Sequence, residues 1–218
     1  MVFSLLFFAA FAVYLFFGIY IIQVNPRAGL NKLFLAVCIS LCFWSLGFAV
    51  ANTAPDLETC LLWRRVSAIG WGSIYSLLLH FSLVLTRNKC TRERRALCWL
   101  LHLPAVISLY AFALYKPLAD TQYHLVNSSN GWVNISVKDG WTLFFYAYYI
   151  SYVLACLFVV FLWRRRACDP QVRKQANALL LSIAAAMLLG SLTDVILSAA
   201  LGGRLPQMAP IFTLIPVA

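Results

Sequence analysis

Long apolar stretches alternate with short polar loops along the chain. Six of the stretches are each about twenty residues long, the length that a helix needs to cross a bilayer. The predicted spans are residues 2–23, 33–52, 66–86, 96–115, 141–163 and 176–201, and residues 209–218 begin a seventh. The pattern therefore predicts an all-α, polytopic integral membrane helix bundle. Residues 1–218 are expected to form one seven-span domain, as a fragment cut off inside its last span.

Breaker residues mark interruptions in this pattern. Pro55 separates the second span from the third, and Pro104 predicts a kink inside the fourth. The longest loop, residues 116–140, is polar and too small to have a core of its own. It is expected to form a short ordered cap or hairpin.

The composition supports a membrane protein. The chain is 63% hydrophobic and 11% charged, whereas soluble domains are about 45–50% apolar and about 25% charged. A net charge of +10 in a soluble chain would suggest a nucleic-acid partner, but these basic residues lie in short loops between apolar stretches. We therefore expect the lipid bilayer as the partner and no binding of nucleic acid.

The basic residues are unevenly distributed between the two sides of the predicted bundle. Twelve of the 17 lie in the first, third and fifth loops: Arg27, Lys32, Arg87, Lys89, Arg92, Arg94, Arg95, Arg164, Arg165, Arg166, Arg173 and Lys174. Loops rich in lysine and arginine face the cytoplasm. The N-terminus is therefore predicted to lie outside, in a multi-pass protein of the inner (cytoplasmic) membrane.

No motif for catalysis or for a cofactor is visible. The seven cysteines include no CxxC pair, which argues against a disulfide framework or a zinc site. No Gly-rich phosphate loop or nucleophile elbow is present. We expect no cofactor, no metal and no enzymatic activity within this stretch of chain.

The third span carries a face of small and polar residues. Gly70, Ser73, Ser76 and His80 lie within about 120° of one another at about 100° per residue, so they are expected to face the bundle. His102 on the fourth span lies at a similar depth and is a candidate partner of His80. The pair either senses protons or a ligand, or forms an interhelical hydrogen bond that fixes packing. Two histidines with no carboxylate nearby are poor metal ligands.

The sixth span contains Asp194, the one acidic residue inside a predicted span. It shares a broad stripe with small residues that include Gly190, and such a stripe brings a neighbouring helix close. Ionisable groups inside a membrane are usually paired or functional. Asp194 is expected either to bind a polar or cationic group of a ligand in an outward-facing cavity, or to form a structural ion pair with Arg65 or Arg204.

An aromatic face runs along the fifth span. It consists of Thr142, Tyr146, Tyr149, Tyr152 and Cys156. Tyrosines combine a flat apolar surface with a hydroxyl, which suits an aromatic or lipid-like ligand. Anchoring at the membrane interface and ordinary packing are the alternatives. Trp44 and Trp71 are candidates for the same cavity.

Several short pieces occur in the order typical of one family of membrane domains. They are Asn25-Pro26-Arg27 with Asn31 and Phe34; Phe43-Trp44 with Gly47; Gly70; Leu79-His80-Phe81-Ser82-Leu83; Arg173-Lys174-Gln175-Ala176; Leu189-Gly190-Ser191-Leu192-Thr193-Asp194; and Leu205-Pro206. Together they resemble the N-terminal seven-span membrane domain of bacterial sensor histidine kinases. The resemblance covers nearly the whole chain.

The resemblance implies a sensory input module. Such a module detects a ligand or a membrane state and signals to a cytoplasmic output domain of the same chain, a histidine kinase or a diguanylate cyclase. It also implies a homodimer in the full-length protein. The ligand is expected to be a small or lipid-like molecule of unknown identity. A small multispan transporter or channel is the alternative, and it would require a polar pathway across the whole bilayer.

Overall fold

Helices make up most of the part of the chain that the structure describes. The computed structural model describes residues 2–87, 95–128, 131–135, 139–197 and 207–217. In chain order the elements are α1 (Val2–Val24), α2 (Gly29–Ala51), α3 (Leu57–Leu85), α4 (Arg95–Leu100), α5 (Leu103–Leu109), α6 (Lys116–Thr121), β1 (His124–Ser128), β2 (Gly131–Ile135), α7 (Gly140–Arg166), α8 (Pro170–Ser191), α9 (Ala209–Phe212) and α10 (Leu214–Val217). Wider π-helical turns follow α5 at Tyr110–Leu114 and α8 at Leu192–Leu197.

Five of these helices are long and apolar enough to cross a membrane, namely α1, α2, α3, α7 and the stretch of α8 that continues to Asp194. A helix of about 20 residues spans about 30 Å. The predicted all-α, polytopic bundle is confirmed. Helix α1 is one of the peripheral helices, since many of its large side chains, such as Leu5 and Phe16, lie on the outer surface of the bundle.

Helix α3 begins earlier than hydropathy predicts. It starts at Leu57 rather than near residue 66, because Asp56 caps it by accepting a hydrogen bond of 2.8 Å from the Thr59 amide. These bonds from Thr59 hold the pKa of the Asp56 carboxyl below its usual value. The early start places Arg64 and Arg65 inside the helix instead of in a loop.

The fourth predicted span is interrupted. Helix α4 ends at Leu100, residues 101–102 form a turn, and α5 begins at Leu103. Pro104 has no N–H group with which to bond a carbonyl one turn earlier, so the helix breaks where the sequence predicts a kink. At the break, the carbonyl oxygen of Leu101 accepts hydrogen bonds from Ser76 Oγ (3.1 Å) and from the Tyr152 hydroxyl (2.9 Å).

Helices α2 and α3 pack closely at a point where the sequence supplies small residues. The Ser40 hydroxyl donates to the Gly70 carbonyl at 2.8 Å. A methyl group at Gly70 would collide with the Ser40 carbonyl oxygen and with the Trp44 amide nitrogen. One at Gly47 would collide with the backbone of Ser67. Small residues at both points therefore let the two backbones approach.

An antiparallel hairpin covers one end of the bundle, which we call the hairpin end. Strands β1 and β2 pair with Val126 opposite Val133, within the long loop that was expected to form a cap or hairpin. The Trp132 indole N–H donates to the Ala54 carbonyl at 2.8 Å, which fastens the hairpin to the turn between α2 and α3. Gly131 has a φ of +103° and lies against Asn52, where a side chain would not fit.

The short helices α9 and α10 begin the seventh span and pack against α8 and α1. The Tyr14 hydroxyl on α1 donates to the Pro210 carbonyl at 2.6 Å and lies 2.7 Å from Thr213 Oγ1. Gly190 on α8 lies close to Ala209, since a methyl group at Gly190 would be only 3.3 Å from the Ala209 Cβ. The start of the seventh span is therefore held from two sides.

Candidate ligand-binding cavity

A cavity of about 190 Å³ extends from beneath the hairpin towards the middle of the bundle. Its walls come from α2, α3, α7, α8 and the start of the seventh span, and they are largely aromatic. The aromatic lining includes Trp44, Trp71, Phe112, Phe145, Tyr146 and Tyr149. Trp71 and Phe145 pack edge to face with ring centroids 4.6 Å apart. Such a concave, mainly apolar space with a few polar groups is typical of small-molecule sites.

Five of the six residues predicted to bind a ligand line this cavity. They are Trp44, Trp71, Tyr146, Tyr149 and Asp194. Tyr149 also joins α7 to α8, because its hydroxyl lies 2.6 Å from Ser191 Oγ. The structure thus brings these residues together in space, and their role in binding stays a prediction.

Arg65 lies elsewhere, and its expected pairing with Asp194 is wrong. Arg65 Nε donates to the Ala113 carbonyl at 3.1 Å, and its Nη1 lies 4.0 Å from Asp120 Oδ1. Consecutive helical residues differ by about 100° in direction, so Arg64 and Arg65 face different neighbours. The other proposed partner of Asp194, Arg204, lies outside the described residues.

Arg64 is the arginine that reaches the cavity. It is only 2% exposed. Its two terminal nitrogens donate to Gln207 Oε1 at 3.0 Å and to the Trp132 carbonyl at 2.8 Å, and its guanidinium carbon lies 4.3 Å from the centre of the Phe48 ring. Arg64 thus links the hairpin, α3 and the segment before the seventh span.

Four buried polar atoms on side chains that line the cavity have no hydrogen-bond partner among the described residues. Two are donors, Arg64 Nε and Trp44 Nε1, and two are acceptors, Gln122 Oε1 and Asn134 Oδ1. Buried polar atoms are normally satisfied, since leaving one unsatisfied costs about 1–3 kcal/mol. The cavity therefore offers hydrogen bonds that the described part of the protein does not fill.

Asp194 lies in the π-helical turn after α8 and caps the start of α9. Its Oδ1 accepts hydrogen bonds from the Met208 amide at 2.6 Å, the Ala209 amide at 3.2 Å and Thr193 Oγ1 at 2.9 Å. It also attracts Arg64 electrostatically. By accepting hydrogen bonds from these backbone amides, the carboxylate connects the end of the sixth span to the start of the seventh.

A second polar cluster lies towards the opposite end of the bundle. His80 Nδ1 is 3.1 Å from His102 Nε2 beside the break in the fourth span. On the same face of α3, Ser76 Oγ lies 2.7 Å from the Tyr148 hydroxyl, and Ser73 Oγ lies 3.0 Å from Ser40 Oγ of α2. This face therefore points into the bundle, as its pattern of small and polar residues predicts.

Comparison with known proteins supplies the family. A family model for the N-terminal seven-transmembrane region of histidine kinases matches residues 5–217. The chain belongs to this family. No curated protein matches the chain. As a seven-span histidine-kinase region, it is a multi-pass membrane sensory input module and not itself a catalytic domain.

Two residues at the centre of this seven-span kinase region were missing from the predicted site. Arg64 lies seven residues before Trp71, two turns away on the same helical face, and this spacing is the signal that identifies it. Tyr148 is buried, and its hydroxyl bonds to Ser76 of α3. It lies beside the predicted tyrosine face, and the pattern of α7 alone does not indicate which tyrosine faces α3.

The histidine pair allows a direct test of its packing role. We expect His80→Ala and His102→Ala each to lower stability, and the double variant to lose less than the sum of the two. The coupling should be about 0.6 kcal/mol, the average for hydrogen bonds between membrane helices. The measurement is a double-mutant cycle on the free energy of unfolding in detergent micelles at fixed pH. His124→Ala, an exposed histidine on the hairpin, is the control. Strict additivity would contradict the contact.

Proposed function

We propose that this chain detects a ligand that binds in the aromatic cavity from outside the cell, and that the seventh span carries the signal to a cytoplasmic histidine kinase or diguanylate cyclase. The observation that carries the proposal is the composition of the cavity wall. Ala209 and Thr213 of the seventh span line the same space as Trp71 and Tyr149. A ligand in the cavity would therefore touch the helix that leads to the output domain.

The contacts of the seventh span support transmission through its packing. Thr213 lines the cavity and also lies 2.7 Å from the Tyr14 hydroxyl of α1. Asp194 fixes the first amides of α9. A ligand that favours one arrangement of these contacts over another shifts the population of the two, which is the requirement for any ligand-driven switch.

The uneven distribution of basic residues supports the orientation of this proposal. It favours a hairpin end on the outside and clusters after the third and fifth spans in the cytoplasm, which fits the proposed inner membrane. A cavity beneath the hairpin is then reached from outside, while the seventh span runs inward. Membership in the histidine-kinase family supports a homodimer of the full-length protein, because the phosphoryl-transfer domains of these kinases work as dimers.

The experiment needs no knowledge of the ligand. The chain is fused in frame to the cytoplasmic portion of a dimeric histidine kinase, and basal autophosphorylation is measured in membranes. Tyr14→Phe removes the hydroxyl that contacts Pro210 and Thr213. One such hydrogen bond is worth about 1 kcal/mol, so basal output is expected to change about fivefold.

Tyr20→Phe is the matched control, because Tyr20 lies on the same helix but is 55% exposed, whereas Tyr14 is 0% exposed. It should leave basal output unchanged. Equal output from both variants, at equal amounts of folded protein, would contradict a signalling role for this contact. Uptake of a solute by proteoliposomes that contain the chain would favour the transporter alternative instead.

A further inference from the structure

We propose that the cavity binds a small aromatic carboxylic acid and that Arg64 is the residue that anchors its carboxylate. The inference rests on the proposed function for the location of the site and adds the chemical class of the ligand. Three observations carry it: the contacts of Arg64, the unfilled hydrogen bonds of the wall, and the size of the cavity.

The contacts of Arg64 leave its charge without a bonded anion. The side chain is 2% exposed, and its bonds go to an amide oxygen of Gln207 and a carbonyl oxygen of Trp132, both of which are neutral. Arg64 Nε has no nitrogen or oxygen acceptor in the part of the chain that the structure describes, and the further interaction of the guanidinium, with the Cys60 thiol, is also with a neutral group. A buried cation without a bonded anion is unfavourable. A ligand carboxylate at Nε supplies both the missing acceptor and the missing charge.

Asp194 is the anion that shares the cavity, and it does not fill this place. Both of its oxygens accept from backbone amides: Oδ1 from Met208 at 2.6 Å and Ala209 at 3.2 Å, and Oδ2 from Ala209 at 3.3 Å. Its charge is directed at the start of α9, where helix geometry favours a carboxylate. Near Arg64 and Asp194, the group left free to form a hydrogen bond is therefore a donor, Arg64 Nε, and not the carboxylate.

The remaining unfilled atoms indicate a second polar group on the ligand. Trp44 Nε1 is a further unpartnered donor, and Gln122 Oε1 and Asn134 Oδ1 are unpartnered acceptors among the described residues. A ring hydroxyl both donates and accepts, so it suits either orientation of these side-chain amides. A hydroxylated aromatic acid thus matches the wall better than a plain one.

The size and the walls of the cavity favour one ring over an acyl chain. Its volume is about 190 Å³, whereas an apolar cavity of about 150 Å³ holds benzene. Trp71, Phe145 and Tyr149 present ring edges and faces, which pack well on another aromatic ring. A molecule with one ring and a carboxylate fills this space, and the tails of a phospholipid do not.

The experiment measures binding to the purified chain in phosphatidylcholine nanodiscs by the shift in thermal unfolding temperature. The probes are 4-hydroxybenzoate, its neutral analogue 4-hydroxybenzamide and the cation tyramine, each titrated to saturation. We expect 4-hydroxybenzoate to stabilise the protein and to bind at least tenfold more tightly than either of the others. In Arg64→Gln this advantage should be lost, while Arg65→Gln should retain the affinity within twofold, because Arg65 faces Ala113 and Asp120.

Several results would overturn the proposal. Tighter binding of tyramine would show a site for cations centred on Asp194. No stabilisation by any of the three probes would exclude the aromatic class. A parallel titration in nanodiscs that contain phosphatidylglycerol tests the lipid phosphate as a source of the anion. If that lipid stabilised the protein in an Arg64-dependent way and 4-hydroxybenzoate did not, the aromatic class would also be excluded.

The two tests fail separately. The comparison of benzoate with benzamide uses the wild-type protein, so it stands even where Arg64→Gln does not fold, and Arg64→Lys then serves as the variant that keeps the charge. The kinase fusion with Tyr14→Phe needs no ligand. Failure of the aromatic acid with success of the fusion would reject the ligand class alone. Equal output from the Tyr14→Phe and Tyr20→Phe fusions would reject signalling through the Tyr14 contact and would leave the ligand class untouched.

Discussion

Replacing Gly70 with alanine is expected to cause a large loss of stability, although it adds only a single methyl group. The new Cβ would collide with the Ser40 carbonyl oxygen and the Trp44 amide nitrogen, both of which belong to the backbone of α2. A flexible side chain can move away, but two packed helix backbones must separate. Overpacking of this kind costs about 1–3 kcal/mol or more. The better helix propensity of alanine returns at most about 1 kcal/mol.

The measurement is the unfolding temperature of the purified protein in detergent, together with the fraction that elutes as a single species. Gly29→Ala is the matched control, since a methyl group at the start of α2 meets nothing within 4 Å. Gly29→Ala should unfold at the wild-type temperature and Gly70→Ala several degrees below it. Because Trp44 lines the cavity, Gly70→Ala should also weaken any ligand binding there. Equal unfolding temperatures would show that α2 and α3 are not closely packed at Gly70.

Removing the carboxylate of Asp194 is expected to loosen the start of the seventh span. In Asp194→Ala the Met208 and Ala209 amides lose their acceptor. Loss of a helix cap costs about 0.5–2 kcal/mol in water, and amides without an acceptor cost more where lipid replaces water. Hydrogen exchange at Met208 and Ala209 should accelerate at least tenfold, since about 1.4 kcal/mol corresponds to one factor of ten.

The amide variant separates a capping role from an ion pair. Asp194→Asn keeps an oxygen that can accept from both amides, so it should exchange almost as slowly as the wild type. If the charge interaction with Arg64 were what matters, Asp194→Asn would behave like Asp194→Ala. Asp169→Ala is the control for general loss of a cap, because Asp169 caps α8 at the other end of that helix. It should leave exchange at Met208 and Ala209 unchanged.

The helical spans were predictable because hydropathy and helix length are local properties. Five of the predicted apolar stretches overlap α1, α2, α3, α7 and α8. The start of α3 was not predictable from hydropathy. When hydropathy is averaged over a window of residues, Arg64 and Arg65 mark the edge of a span. In the structure Asp56 caps the helix well before them. The buried Arg64 is tolerated there because neutral oxygens of Trp132 in the hairpin and of Gln207 before the seventh span accept hydrogen bonds from it.

The candidate site was predictable only as a set of side chains. Sequence patterns indicate that Trp44, Trp71, Tyr149 and Asp194 face inward, but not which of them meet. Their convergence depends on the rotation of each helix about its axis, which contacts such as that of Tyr148 with Ser76 decide. The choice between Arg64 and Arg65 depends on the same rotation. The hairpin contributes Asn134 and the Trp132 carbonyl to the site through contacts between distant parts of the chain, and no local pattern reports these.

The break in the fourth span also bears on the order in which the protein can assemble during synthesis. The carbonyl of Leu101 at this break accepts hydrogen bonds from Ser76, which is made earlier, and from Tyr152, which is made about fifty residues later. Lipid offers this oxygen no donor. The fourth segment can therefore leave the water-filled insertion machinery without an unsatisfied carbonyl only together with the third segment. It reaches its final depth when the fifth segment is inserted. The third, fourth and fifth segments are expected to enter the bilayer as one unit.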